Sequence, residues 1–540
     1  MSFRSRALRL GLGLFLLLAV AAVMLTAHLG DEGLTDPDES AYAESVREMV
    51  ERGDWLVPHL YGEPLLDKPI FFYWAMGASF RLFGENELAA RLPSVLAALV
   101  LLLAVLRLGF LIYGSETAGW IAAFILLASP QFVVMGRAAV TDMILTAFCT
   151  LGILCYLETL GEPRHRILPL AGAACFGLAA LTKGPVGLLL PLLVLGGYLA
   201  ITRSLPRLRL LRPVASLIVI AALAVPWYAA IAVARPDLVE RFFVTGNLGR
   251  FLRPEHQAEP PLYYLVVLSI GFLPWSAFLP GAVGRSFLDW RRGSILRPRL
   301  LPAVWLLALL AFFTLAASKL PSYILPALPA AALLAAGSLE EWLDPEPGKT
   351  RPAGVGAMIF LTIFTAGIAC FVWKANSFGS VPMDLKAALL PLTLSGVAGS
   401  LVALGALLAG RSRTSYFLLL AGSMILIFSL VAFGFPRLEA WKSSREPADV
   451  VRSLLQPSDA VILYRENHPG FAYYLRRVPE LIRAEPELVA RLEAPRRLYC
   501  LMGWDRYERL KIRHPAAPLH LLKKSGHVAV VTNFLPGVEP

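Results

Sequence analysis

At 540 residues the chain is long enough for several soluble domains, yet 57% of it is hydrophobic and only 16% is charged, against about 25% charged in ordinary globular chains. Apolar runs of about 18 residues or more recur down most of its length, which excludes a purely soluble protein and predicts a polytopic helical membrane protein. The net charge of +11 implies no nucleic-acid partner, because the arginines cluster in short loops between apolar runs, a pattern that reports membrane orientation.

The chain opens on "MSFRSRALRLGLGLFLLLAVAAVMLTAHLG". A cleaved signal peptide reads similarly, but this apolar stretch exceeds the roughly 7–15 residues of a signal h-region, so an uncleaved first span is expected. By the roughly 20-residue rule, about 13 spans fall near residues 9–27, 94–112, 117–135, 140–159, 167–182, 185–201, 213–234, 262–283, 300–317, 321–339, 354–373, 387–409 and 415–434. The fifth and sixth are short and meet at "TKGP".

Arg4, Arg6 and Arg9 precede the first span, and further basic residues follow the fourth (Arg164, Arg166), sixth (Arg203, Arg207, Arg209, Arg212), eighth (Arg285, Arg291, Arg292, Arg297, Arg299), tenth (Lys349, Arg351) and twelfth (Arg411, Arg413). With thirteen spans all of them fall on one side, which places the N-terminus inside and the C-terminus outside. Residues 1–434 are thus expected to form the membrane domain, with a first outer loop at 28–93, and 435–540 a small outer α/β domain. In that tail "AVILYRE", "LYCLMGW" and "HVAVVTN" read as short strands. Of the five cysteines, four lie in apolar spans and Cys500 is alone in the tail, so no disulfide framework is implied.

The first outer loop opens with "TDPDESAYAESVREM". Tyr42, Val46, Met49 and Val50 recur at helical spacing with charges between them, predicting an amphipathic surface helix that Gly53 stops. Asp36 suits an N-cap, Pro37 an N1 position, and Glu39 the far side of a capping box. Asp38 gains little from the helix dipole, which leaves it open between helix start and chemistry. A second surface helix follows, "KPIFFYWAMGASFRLFG".

Other polar residues gather at the same face: Asp67 and Lys68, Arg137 and Asp142 before the fourth span, Lys183 in "TKGP", Arg250 and His256 in the third outer segment, and Lys319 and Tyr323 in "SKLPSYILP". Singly each reads as a snorkelling or interfacial residue. Together they place carboxylates and cations on the outer side of one bundle, as a membrane-embedded site requires. A carboxylate can position or deprotonate an acceptor, and fixed cations can hold a phosphate and stabilise it as it leaves.

The segments "DPDESAYAESVREM", "GDWLVPHLYGEPLLDKPIFFYW", "LFGENELAARLPS", "RAAVTDMILTAF", "LTKGPVG", "PWYAAIAVARPDLVERFF", "GFLPW" and "SKLPSYILPALP" lie in that order over residues 30–340. This ordered set resembles the C-type (GT-C) membrane glycosyltransferases, in the branch of the lipid A aminoarabinose transferases and bacterial protein-mannosyltransferase-like enzymes. The resemblance implies an all-α polytopic membrane bundle with surface helices in the first outer loop and a small C-terminal α/β domain. It implies a catalytic role for Asp38, with Glu39 beside it and Asp142 as a second acid. It further implies lipid-phosphate contacts for Lys68, Lys319, Tyr323 and Arg250, to which Lys183 and Arg137 are added from their placement.

Three positions depart from the family pattern: one is Ile70, in place of the second proline of the lysine motif, and the other two bear on a metal. Asp67 stands where the family has glutamate, and a histidine is replaced near Asn247, with His256 the nearest substitute. In the aminoarabinose branch these positions hold a metal, so a divalent ion at Asp67 and His256 is left open. The expected activity is transfer of a sugar from a polyprenyl-phosphate (undecaprenyl-phosphate) donor to lipid A or another glycolipid or glycan on the outer face of the bacterial inner membrane. A protein acceptor is the nearest alternative. A lipid or polysaccharide transporter should show inverted repeats and midplane polar residues, which are not evident, and a sensory receptor would not explain charges spread over five outer segments.

Overall fold

The structure is a computed structural model that describes residues 3–161, 166–253, 259–293, 297–343, 351–374 and 383–534. It divides into two compact units. One comprises Met1–Ala27, Leu66–Phe72 and Pro93–Gly434; the other comprises His28–Leu65, Tyr73–Leu92 and Phe435–Pro540. In chain order the first helices are α1 (Phe3–Thr26), α2 (Asp38–Arg52), α3 (Phe71–Phe83), α4 (Glu87–Tyr113), α5 (Glu116–Leu127), α6 (Pro130–Arg137), α7 (Thr141–Gly161), α8 (Leu168–Lys183) and α9 (Val186–Ile201).

The first unit is helical. Among the described residues, six helices are long and apolar enough to cross a bilayer, two further bent pairs reach that length together, and five shorter apolar helices complete the set. These thirteen correspond one to one with the thirteen expected stretches. The 16-residue α8 and α9 rise only about 24 Å at 1.5 Å per residue, short of a hydrocarbon core of about 30 Å. One bent pair is α5 with α6, turned by 64°. Ser115 caps the start of α5 by accepting from the Ala118 amide at 3.4 Å, and Pro130 at the start of α6 prevents α5 from running on. α4 and α5 touch backbone to backbone: a Cβ on Gly109 would lie 2.7 Å from the Gly119 Cα. Small residues allow such close helix contact where lipid leaves no hydrophobic drive between helices.

The second unit is built on a sheet. A two-strand hairpin, β1 (His59–Leu60) and β2 (Glu63–Pro64), precedes five tail strands: β3 (Ala460–Tyr464), β4 (Glu480–Ile482), β5 (Leu498–Gly503), β6 (His520–Ser525) and β7 (Val528–Thr532). The sheet order is β4-β3-β5-β7-β6, with β4, β3 and β5 parallel and β7 antiparallel to both its neighbours. β3 and β7 are buried at every residue, and β5 at all but its last, as expected of strands covered on both faces. The core holds Ile462, Leu488, Cys500, Met502, Tyr507 and Val531. The three expected strands are β3, β5 and β7. The two edge strands were not anticipated, because β4 has only three residues and β6 reads "HLLKKS".

α2 keeps its expected apolar spacing but is not the surface helix that spacing predicts. Both its apolar and its charged residues are buried within this unit, from Glu39 and Tyr42 to Glu48 and Met49. The enclosed charges are satisfied locally. Arg47 holds Glu44 through two hydrogen bonds of 2.7 and 2.6 Å and reaches Glu51 at 2.7 Å, while Glu48 accepts from the Gly62 amide at 3.0 Å. Burial pushes the Glu44 carboxyl above its ordinary pKa despite the opposing pull of Arg47.

Candidate active site

Five of the expected residues line one cleft in the first unit: Asp67, Lys68, Lys183, Arg250 and Tyr323. It is a half-open cleft of about 700 Å³, open solvent included. Asp67 joins two of its cations, Lys68 at 2.7 Å and Arg250 at 3.1 Å. Burial opposes its charge, but Lys68 and Arg250 outweigh burial and hold the carboxyl below the usual carboxylate range. Opposite, the Lys183 ammonium bonds the buried Asp142 at 2.7 Å and stands 4.6 Å above the Tyr323 ring. The remaining wall is largely apolar and aromatic, with Leu145, Val186, Phe242, Phe251, Phe312 and Phe313.

Local structure explains how these groups converge. Arg241–Gly249 winds as a π-helix and passes directly into the short turn Arg250–Leu252. The Arg250 and Phe251 carbonyls accept from the Ser318 and Ala317 amides at 3.0 and 2.9 Å, and the Phe251 ring stacks on Phe312 at 5.5 Å. That clip fixes Arg250 beside the segment leading to Tyr323. Asp67 and Lys68 precede α3, whose first residue packs its ring on Phe148 of α7 at 5.2 Å. Lys183 is the last residue of α8.

The other expected residues lie elsewhere. Lys319 donates to the Ala316 carbonyl at 2.7 Å, next to cleft residues Ala316 and Ser318. Arg137 is buried and donates to the Met24 and Leu25 carbonyls at 3.3 and 3.1 Å, closing the C-terminal end of α1. His256 falls outside the described residues. Among the described residues no group of three carboxylate, imidazole or thiolate side chains is placed to hold a metal. Asp67 is already neutralised by two cations, and Asn247, which also lines the cleft, donates its amide to the Phe242 carbonyl at 2.7 Å. The described side chains therefore do not fit a divalent ion at Asp67.

Asp38 and Glu39 belong to the second unit. Asp38 is exposed in the first turn of α2. Glu39 is buried, receives both arms of Arg91 at 3.0 and 2.8 Å, and accepts from the Thr35 amide at 2.9 Å. That last bond performs the reach-back expected of a capping box, one residue further than the box spacing. Asp36 is not the N-cap: Pro37 occupies that position and no side chain caps the helix. The Asp36 carboxylate is buried and accepts from Ser40 Oγ at 2.5 Å, from the Ser444 amide and hydroxyl at 3.0 and 2.5 Å, and from the Gly470 amide at 2.7 Å. Sequence reasoning missed Ser444, His468 and Gly470 here, since nothing local marks residues whose partner lies more than 400 positions away.

A cleft with cations at its polar part and aromatic walls around them can hold an anion carried on a hydrocarbon chain. Residues 12–240 match the dolichyl-phosphate-mannose-protein mannosyltransferase family. A Yersinia enterocolitica protein named undecaprenyl phosphate-alpha-4-amino-4-deoxy-L-arabinose arabinosyl transferase is 33% identical over 332 residues, 60% of this chain and 59% of the relative. A protein of the same name from Pectobacterium carotovorum is 30% identical over 485 residues, 87% of this chain and 85% of its own. The crystal structure of ArnT from Cupriavidus metallidurans bound to undecaprenyl phosphate matches with a TM-score of 0.81 at 23% identity, covering 97% of this chain and 98% of that one. At that identity the likeness is one of fold.

Proposed function

Because the chain belongs to the undecaprenyl phosphate-alpha-4-amino-4-deoxy-L-arabinose arabinosyl transferase family of C-type membrane glycosyltransferases, we propose that it moves a sugar from a polyprenyl-phosphate donor to lipid A or another glycolipid or glycan. The observation that carries this reading is the cleft itself. Lys68, Lys183 and Arg250 offer three cations within an aromatic and aliphatic wall, which suits the phosphate and the first isoprene units of such a donor. The protein is a multi-pass membrane protein. Its arginine pattern supports an N-terminus inside, an outer C-terminal domain, and action on the outer face of a bacterial inner membrane.

In this mechanism the acceptor oxygen attacks the anomeric carbon as the bond from that carbon to the lipid-phosphate oxygen breaks, with inversion. The cleft cations stabilise the departing lipid phosphate. For a hydroxyl acceptor, Asp38 takes the proton as general base. For a phosphate acceptor, already ionised at neutral pH, Asp38 orients the acceptor or a cationic group of the donor. A protein hydroxyl as acceptor is the second reading, favoured by the mannosyltransferase family match over residues 12–240.

The test is turnover of radiolabelled polyprenyl-phosphate sugar by the purified protein. Label should appear on a lipid A or glycolipid acceptor. Asp38→Asn should insert normally and lose roughly 10²–10⁴-fold in rate. Release of no sugar from any polyprenyl-phosphate donor would overturn the enzymatic reading, and near-normal turnover by Asp38→Asn would remove Asp38 from the mechanism.

A further inference from the structure

Asp38 is flanked by two carboxylates that are both immobilised. Asp36 is held by Ser40, Ser444 and Gly470, and Glu39 by Arg91. The segment leading to them is tied along its length to the tail. Glu32 pairs with Lys442 at 2.7 Å, the Gly33 amide donates to Glu439 at 3.0 Å, the Leu34 amide to the Tyr474 hydroxyl at 2.8 Å, and the Asp36 amide to the Lys442 carbonyl at 2.7 Å. His468 backs the cluster, its Nδ1 3.2 Å from the Ser444 hydroxyl and 3.5 Å from Asp36. The fit leaves no slack: a Cβ at Gly470 would lie 2.8 and 2.9 Å from the two Asp36 carboxylate oxygens. Asp38 is the one carboxylate in this run of three that is exposed.

We propose that the C-terminal domain is a positioning element for the reaction, in which Ser444 and Gly470, acting through Asp36, set where Asp38 stands. Four hydrogen bonds to one buried carboxylate fix the backbone two residues from Asp38, and a shift of about 1 Å in a reacting group costs on the order of 10²-fold in rate. Ser444 and Gly470 are positioning residues, since Asp38 alone meets the acceptor. The proposal rests on the reading of Asp38 given above.

Full-length Gly470→Ala and Ser444→Ala test it. Gly470→Ala pushes a methyl into the Asp36 carboxylate; Ser444→Ala removes one hydroxyl donor and disturbs little else. Expected are falls in kcat of about 10- to 100-fold for Gly470→Ala and a smaller fall for Ser444→Ala, with KM for the polyprenyl-phosphate sugar unchanged. The number of undecaprenyl-phosphate binding sites per mole of protein should also stay at the wild-type value. Wild-type kcat in both variants while Asp38→Asn is inactive would overturn the positioning role and leave the reading of Asp38 intact. A kcat loss matched by an equal loss of undecaprenyl-phosphate sites is simple unfolding and would overturn it too. Wild-type turnover by Asp38→Asn would sink the reading of Asp38, and the positioning role with it.

Discussion

Asp67 carries the same sign of charge as the phosphate that its partners would bind. It stands 2.7 Å from Lys68 and 3.1 Å from Arg250, so an incoming phosphate must compete with it for both cations. Its depressed pKa keeps it ionised at neutral pH; the competition, and the ion-pair stability it brings, fade only as pH falls through that lowered value. Two substitutions should therefore act in opposite directions. Lys68→Ala removes a charge-assisted contact of about 1.5–3 kcal/mol and should weaken undecaprenyl-phosphate binding roughly ten- to a hundredfold. Asp67→Asn removes a like charge, a repulsion of about 1 kcal/mol even at the dielectric of water at 4 Å, and should tighten binding about fivefold. Titration of each purified variant with undecaprenyl phosphate decides; weakening by both would make Asp67 a structural support for the cations. At this scale the gathering of Lys68, Lys183, Arg250 and Tyr323 at one cleft was legible only as a shared face, from their places between apolar runs. Asp36 was misread as a cap because its partners Ser444 and Gly470 are invisible from its own neighbourhood.

At the scale of elements, the apolar period of α2 is a local property and was legible, as was the stop at Gly53, which takes the left-handed conformation with φ of 70°. What encloses the helix was not. The covering groups come from the β1–β2 hairpin, from the tail, and from Arg91 in the first turns of α4. Arg91 is the joint of this assembly. Buried itself, it binds Glu39 and donates to the carbonyls of Leu29, Glu32 and Gly33 at 2.8, 2.9 and 2.9 Å. Arg91→Ala should cost about 3–5 kcal/mol, because it strands a buried carboxylate. Adding Glu39→Leu should recover part of the loss, since no unpaired charge then remains. Thermal unfolding of the two purified variants tests this; equal stability of Arg91→Ala and wild type would mean that Glu39 finds solvent or another partner. The same contrast of local and distant signal explains the tail sheet. Its apolar strands β3, β5 and β7 announce themselves, whereas β4 and β6 are strands only because a neighbour supplies their hydrogen bonds.

For the whole molecule, the positions of the spans were legible because each rests on a local excess of apolar residues. The compact units were not, because the second gathers His28–Leu65, Tyr73–Leu92 and Phe435–Pro540 from distant parts of the chain. The sidedness of the molecule depends on how many apolar helices cross. Five are shorter than 18 residues, and each that failed to cross would reverse everything after it. Arginine placement argues that all cross: with thirteen crossings Arg209 and Arg292 share a side with the basic N-terminus, as the excess of basic residues in inner loops demands. Reporter fusions after Arg209 and after Arg292 should therefore read cytoplasmic, and a fusion at residue 480 should read outside. A cytoplasmic reading at 480 with both earlier fusions as expected would place the error after Arg292, where Leu301–Leu315, Val355–Cys370 and Thr393–Leu408 are the short helices. It would also leave Asp38 outside, behind the first span, with the tail inside, and so conflict with the compact unit that His28–Leu65 and Phe435–Pro540 share.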